Sequence, residues 1–299
     1  MNPPHDRRVL HPAAILLALA ASGCAGEAAQ TSESACTISA VNSLPDQLHE
    51  ASGVASSRTH AGLVWTHNDS GGDPIVYGVD SSGAVAAELH LRNARNVDWE
   101  DIAVDDCPGG GGNCIYVADI GDNRAERDDI GVYVTPEPAS LGPSVAEARF
   151  VSLRYAAGPR DAEAMFLTDA HRLVVISKGR SHPVAVFMTQ PVAAVENRTL
   201  VLQEVQPLSD APVELPRQVT GAARRNQLVL VRSYSGLQPY RLDGEGLRRD
   251  GRAVDLQPLG EPQGEGVAIM PDGSLVLSSE EGPQSVAARL TRLTCAFDE

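Results

Sequence analysis

Lysine is nearly missing from this chain: of 24 basic residues in 299, one is a lysine, Lys178. With so much alanine, arginine and glycine the scarcity reflects base composition, and the lysine that persists marks its position. Basic residues as a class are outnumbered by 39 acidic ones, for a net charge of −15. That surplus excludes nucleic-acid polymers and anionic membrane surfaces as partners and favours cations. No GxSxG or other nucleophile motif accompanies His67, which excludes a hydrolase triad. No CxxC pair is present, which argues against a cysteine-held metal. No segment carries long helical periodicity, and no apolar run reaches the length of a membrane span.

What is present begins with Arg7 and Arg8, ahead of an apolar run from Pro12 to Ala21 that ends in Ala21-Ser22-Gly23-Cys24. The run is about half of what a bilayer requires. Small residues before a cysteine are what a lipoprotein signal peptidase accepts. Residues 1–23 therefore read as a lipoprotein signal peptide and Cys24 as the lipidated N-terminus. An ordinary secretory signal with an incidental cysteine at its cut site is the alternative, and both export the protein. Residues 24–35 lack the apolar content to fold and read as a tether, leaving 36–299 as one domain. The expectation is a monomer in the cell envelope, held to a membrane by its lipid alone.

The other cysteines, Cys36, Cys107, Cys114 and Cys295, form an even set suited to an oxidising compartment. Cys107 and Cys114 flank Pro-Gly-Gly-Gly-Gly-Asn, a loop short and flexible enough to close on itself. Cys36 then pairs with Cys295 and ties the start of the domain to its end.

Short apolar strands recur along the chain with turn signals between them, so the class is all-β. An opening repeats: Glu50-Ala-Ser-Gly-Val-Ala55, Asp98-Trp-Glu-Asp-Ile-Ala103, Asp161-Ala-Glu-Ala-Met165, Gln218-Val-Thr-Gly-Ala222 and Gly264-Glu-Gly-Val-Ala268. Each is followed by a second and a third strand, and the last repeat runs out of chain at Cys295. The segment Thr37-Ile-Ser-Ala-Val41 supplies the missing outer strand. The predicted fold is a five-bladed β-propeller closed by an N-terminal strand, with six blades as the alternative.

The first strand of each blade lines the central channel, so one position of the opening forms a ring: Ser52, Glu100, Glu163, Thr220 and Glu265. Three carboxylates on one axis repel each other unless protonated, solvated or neutralised by a cation. A hard divalent ion held by oxygen, calcium before magnesium, resolves this; a water-filled channel in which the glutamates bond backbone amides is the alternative. The order Ser, Glu, Glu, Thr, Glu, with Glu100 in Trp-Glu-Asp-Ile-Ala-Val, Glu163 in Asp-Ala-Glu-Ala and Glu265 in Gly-Glu-Gly-Val, resembles the calcium ring of the calcium-activated nucleotidase (apyrase) family. The resemblance implies a five-bladed propeller, Ca2+ at these five residues and action on phosphate-bearing substrates. The basic loops depart from that family's pattern, which leaves nucleotide specificity open.

Loops after the second strands share the ring's end of the channel: His67 to Gly72, Asp119 to Arg124, Lys178 to Arg180, Arg232 to Tyr234, and Glu280-Glu281. Asp69, Arg180 and Arg232 are the candidate catalytic residues; Asn68, Asp119, Asp122, Asn123, Lys178 and Glu280 are candidate ligand contacts. Asn-Asp-Ser-Gly-Gly and Ile-Gly-Asp-Asn are equally good turn sequences, so turn-making and ligand contact both stand for Asp69, Asp119, Asp122 and Asn123. The functional readings are a calcium-dependent phosphohydrolase, a non-catalytic surface module binding a glycan, peptide or protein, and a lactonase- or phytase-like esterase. All take a small anionic ligand or a surface partner at the polar mouth.

The lipid reading carries a direct test. Cys24→Ser should move the protein from the membrane to the soluble or secreted fraction with its melting temperature unchanged, because lipidation is the only membrane signal in the sequence. Fractionation that finds the variant still on membranes would mean another anchor.

Overall fold

The strand that opens each repeat is buried along most of its length because neighbouring blades cover both of its faces. The chain is seen here in a computed structural model that describes Met1 and residues 36–192, 198–283 and 286–297. The signal segment after Met1, Cys24 and the tether lie outside the described residues.

β1 (Cys36–Ser43) comes first in the chain but belongs to the last blade. Blade one is β2 (Ala51–Ser56), β3 (Val64–Asn68), β4 (Ile75–Val79) and β5 (Val85–Arg92). Blade two is β6 (Trp99–Asp106), β7 (Asn113–Asp119) and β8 (Gly131–Pro136), then, after β9 (Gly142–Glu147), β10 (Arg149–Tyr155). Blade three is β11 (Ala162–Leu167), β12 (Arg172–Ser177), β13 (Ala185–Pro191) and β14 (Leu200–Pro207). Blade four is β15 (Val219–Arg225), β16 (Leu228–Ser233), β17 (Gly236–Asp243) and β18 (Gly246–Arg249), with β19 (Val254–Asp255) also paired to β17. Blade five is β20 (Gln263–Ile269), β21 (Leu275–Glu280) and β22 (Arg289–Cys295), completed by β1. The fold is thus the all-β, five-bladed propeller closed by its N-terminal strand that the repeats imply. Among the described residues no helix is long and apolar enough to cross a membrane.

Apolar alternation gives each blade two greasy faces, and each face packs on the next blade. One hydrophobic core fills each gap: Trp65, Trp99 and Ile115 between blades one and two, Tyr116, Leu153 and Phe187 between two and three, Phe166, Val231 and Tyr240 between three and four. Leu230, Leu237 and Leu277 lie between four and five, and Leu48, Tyr77 and Met270 between five and one. A buried aliphatic side chain contributes about 1.5–3 kcal/mol, so these wedges hold the ring shut. At the seam, Cys36 faces Cys295 in the β1–β22 register and is bonded to it, across 259 residues of sequence. In the loop-entropy account a closure of that length contributes roughly 4–5 kcal/mol. The second disulfide joins Cys107 to Cys114, as their spacing implies.

Two outer pairings do not follow from the repeat. β9 leaves blade two and adds in parallel to β5, and β10 pairs in parallel with β14 of blade three. The β9 sequence, Gly-Pro-Ser-Val-Ala-Glu, lacks the apolar pattern of a strand, and at an outer edge backbone hydrogen bonds suffice.

The innermost strands have no neighbour on the axis side, so their backbone groups there need other partners. Asp101 supplies one. It is wholly buried; its Oδ2 accepts the amides of Met165 (2.8 Å) and Ala222 (3.2 Å), and its Oδ1 accepts that of Ile102 (2.9 Å). One carboxylate thereby ties blades two, three and four across the channel. Gly53 permits this approach, since a Cβ there would lie 2.6 Å from the Asp101 Cα. At the far end of the channel the inner strands surround a cavity of about 660 Å³, lined by Val54, Arg58, Ile102, Met165, Ala222 and Arg225 among others.

Asp101→Ala strands the amides of Met165 and Ala222 without an acceptor. Urea denaturation should show a loss of about 3–5 kcal/mol, and Asp101→Asn, which keeps an acceptor oxygen, a smaller one.

Candidate metal and ligand site at the channel mouth

The ladder between first and second strand is broken at the same point in every blade. Register shifts fall between Ala51 and Val54, Trp99 and Asp101, Ala162 and Ala164, Val219 and Gly221, and Gly264 and Val267. The residues left out of the pairing include Ser52, Glu100, Glu163, Thr220 and Glu265, the five ring positions read from the sequence. A bulge leaves its extra residue unpaired and re-aims that side chain. All five are buried, with exposures between Thr220 at 1% and Glu100 at 5%.

The two hydroxyls lace blades together. Ser52 Oγ donates to the Glu100 carbonyl (2.9 Å) and Thr220 Oγ1 to the Glu265 carbonyl (2.8 Å). With its proton committed, each oxygen is left as an acceptor, the form in which a hydroxyl can ligate a cation.

Oxygens of Glu100, Asp161 and Glu163 lie within 4.8 Å of one another, and so do those of Asp69, Asp98 and Glu100. Asp98 and Asp161 were not among the sequence candidates. The signal was present, since both stand two residues ahead of a ring glutamate, in Asp98-Trp-Glu100 and Asp161-Ala-Glu163. Asp161 is 6% exposed; its Oδ1 accepts the Asp122 amide (3.1 Å), and its Oδ2 has no hydrogen-bond partner. Gly121 brings the blade-two loop against this cluster, where a Cβ would collide with Glu100 Oε1 and Asp98 Oδ2.

The loop candidates divide. Asn68 makes its turn, accepting the Glu50 amide (3.2 Å) and donating to the Gln47 carbonyl (2.8 Å). Asp119 accepts from Arg127 Nη2 (2.8 Å) and Asp122 from the Arg127 amide (2.8 Å), so both build the blade-two loop. Asn123 is exposed and accepts from Arg180 Nη1, whose Nε lies 3.9 Å from Asp161 Oδ2; these two remain at the rim. Asp69 is half-buried, with Oδ1 unpartnered. Glu280 accepts from Gln263 Nε2 (2.8 Å). Arg232 corrects the sequence reading: its exposure is 0%, and it bonds Glu261 and the carbonyls of Gly266 and Ser278 in the seam between blades four and five. A guanidinium so enclosed cannot meet a ligand at the mouth.

Charge in the mouth is one-sided. Lys178 is the cation among the buried carboxylates, its Nζ donating to Glu163 Oε1. Burial opposes its charge, but Glu163 and Glu100 outweigh that and hold the ammonium above its ordinary pKa. Burial and mutual repulsion raise the carboxyls as well, toward their neutral form: Asp69 to about 8, with Asp98 and Glu163 adding to burial, and Glu280 to about 7, with Glu50 and Glu163 adding. Glu100 and Glu265 are raised well above the carboxylate range, by burial first and by Glu163 second. His67, beneath the ring, is pushed by burial down to about 4 and is neutral.

No protein-family profile matches the chain, and no curated protein matches it in sequence. Solved structures do. A glutaminyl cyclase from Myxococcus xanthus aligns over 88% of this chain and 97% of its own at 12% identity, with a TM-score of 0.54. The PQQ-bound aldose sugar dehydrogenase of Streptomyces coelicolor aligns over 87% and 98% at 12% identity, TM-score 0.52. The soluble aldose sugar dehydrogenase of Escherichia coli aligns over 86% and 99%, also at 12%, TM-score 0.50. At this identity the likeness is one of fold: the chain shares the propeller of these enzymes. It lends no support to a nucleotidase assignment.

Carboxyls whose pKa is raised by folding stabilise the fold when protonated. That stability is complete below their unfolded values near 4 and is lost as pH rises through about 7 for Glu280 and about 8 for Asp69. His67, lowered to about 4, acts oppositely below pH 6.5, so in chelator the calorimetric midpoint should fall between pH 6.5 and pH 8.5; a midpoint rising over that range would contradict the crowding of these groups.

Proposed function

We propose that the mouth holds one divalent cation, calcium before magnesium, and that the ion together with Arg180 receives a small anionic ligand, a phosphate ester or phosphoanhydride being the class it suits as substrate. The observation that carries this is the convergence of carboxylate oxygens of Glu100, Asp161 and Glu163, all buried, in a cluster where Asp161 Oδ2 has no hydrogen-bond partner. An all-oxygen, acid-rich set is what hard cations take. Glu100, Asp161 and Glu163 would hold the ion, with Ser52, Thr220 and Glu265 completing the ring directly or through water. Such an ion supplies positive charge that polarises a phosphoryl oxygen.

The chain's own groups do the rest. Asp69, half-buried at the mouth with its Oδ1 unpartnered, is placed to take a proton from water. Arg180, steered by Asn123, offers a charged donor to an anion at the rim. The likeness of the ring to calcium-activated nucleotidases supports the same class. The commitment of Asn68, Asp119, Asp122 and Arg232 to structure favours the second reading, in which the calcium-bearing mouth binds a surface partner without turnover.

A panel of phosphate esters, nucleotides and lactones, assayed in calcium and in chelator, separates the two. Calcium-dependent release of phosphate is expected, whereas silence across the panel with a calcium-dependent melt supports the binding module. Affinity should fall between micromolar and the ~10⁻⁴–10⁻³ M of extracellular modules, and ligand a hundredfold above that constant stabilises by about 2.7 kcal/mol. Glu163→Gln removes a proposed ligand and the partner of the buried Lys178 ammonium, so it should lower the melting midpoint in chelator and shrink the rise that calcium gives. A wild-type midpoint indifferent to calcium would make the ring a solvated channel.

A further inference from the structure

Lys178, the chain's single lysine, follows directly on β12 and points its ammonium into the mouth, where it donates to Glu163 Oε1. Both partners are enclosed, the side chains 8% and 2% exposed. Glu163 is also one of three converging carboxylates, with Glu100 and Asp161. An ammonium and a divalent ion thus have claims on the same carboxylate.

The lysine backbone is clamped at both ends. Its amide donates to the Asp161 carbonyl (2.9 Å), and its carbonyl accepts the Val219 amide (3.0 Å). Those bonds fix the Cα between the openings of blades three and four, and leave the four-carbon stem as the part that can move. The ammonium does not satisfy the whole cluster, since Asp161 Oδ2 has no hydrogen-bond partner and Arg180 Nε stays 3.9 Å away.

We propose that Lys178 is a tethered counter-cation: its ammonium holds Glu163 when no divalent ion is bound and yields that carboxylate when one binds, so that the lysine sets the affinity of the mouth. This rests on the reading that the mouth takes a divalent cation. The physical reason is repulsion between a single and a double positive charge sharing one carboxylate, which is felt more strongly in an enclosed site than in water. The same charge offsets the crowding of carboxylates in the ion-free protein. Its removal should therefore act in opposite directions on ion affinity and on ion-free stability.

The test uses protein stripped with EGTA and titrated with calcium chloride in a calorimeter, alongside melts in EGTA and in saturating calcium. Lys178→Met keeps the length and removes the charge. It should bind calcium at least roughly tenfold more tightly than wild type and melt lower in EGTA, with the deficit shrinking in calcium. Lys178→Arg keeps the charge and should bind no more tightly than wild type. A measurement on wild type needs no variant: protein labelled at the lysine ε-carbon gives one side-chain resonance, which should shift during the calcium titration. If wild type binds calcium while Lys178→Met binds it equally or less tightly, or the lysine resonance stays still, Lys178 is a fixed structural partner of Glu163 and the inference is overturned. If wild type and Lys178→Met both give no heat and no melt shift with calcium, magnesium or manganese, the cation reading itself fails and this inference with it.

Discussion

Negative charge gathered at one end of a closed channel is the constraint to which the rest of this molecule answers. Asp69, Asp98, Glu100, Asp161, Glu163, Glu265 and Glu280 share a mouth in which Lys178 is the buried cation. Carboxylates in such an enclosure must take up protons, borrow a lysine or hold an ion, and each solution leaves a different molecule. Protons favour the fold in acid, the lysine moderates the repulsion at neutral pH, and an ion would replace both. The site thus balances its carboxylates against protons and one ammonium, and the proposed ion would be a third positive charge.

Keeping like charges close requires a frame that does not spread. Five interblade cores press the blades together, and the outer strand of the last blade comes from the front of the chain. Asp101 works from the inside, bonding amides of two other blades just below the ring. The repeated bulge is the local device: it costs each blade a step of its ladder and gives each blade one side chain aimed at the shared channel. Because the interruption recurs at the same step of every opening, the ring is a property of the repeat.

The repeat explains why so much was readable in advance. Openings such as Asp98-Trp-Glu100 and Gly264-Glu-Gly266 recur because every blade solves the same packing problem, so the blade count, ring and seam pairing all follow from alignment of the chain with itself. Single events are illegible by that route. Arg232 sits near the end of β16, where the sequence places a loop at the mouth, yet its long side chain turns into the seam toward Glu261, a choice made by side-chain direction. Asp119 and Asp122 are drawn away by Arg127, eight and five residues on, which no pattern marks as their partner. The parallel joins of β9 and β10 fall outside the repeat, so aligning the chain with itself does not reveal them. Asp161 shows the opposite failing, for its Asp-x-Glu spacing repeats that of Asp98 and was there to be read.

The route of β1 also gives the ring a front and a back. β21 ends at Glu280 beside the acidic mouth, β22 runs back from it, and β1 lies antiparallel to β22, so Cys36 and Cys295 meet at the opposite face. Any pull exerted through residues ahead of Cys36 consequently enters at the rear and at the rim, where the disulfide passes it to β22. Mechanical load is carried in the outermost ladder of one blade, and the inner strands that hold the carboxylates are spared it.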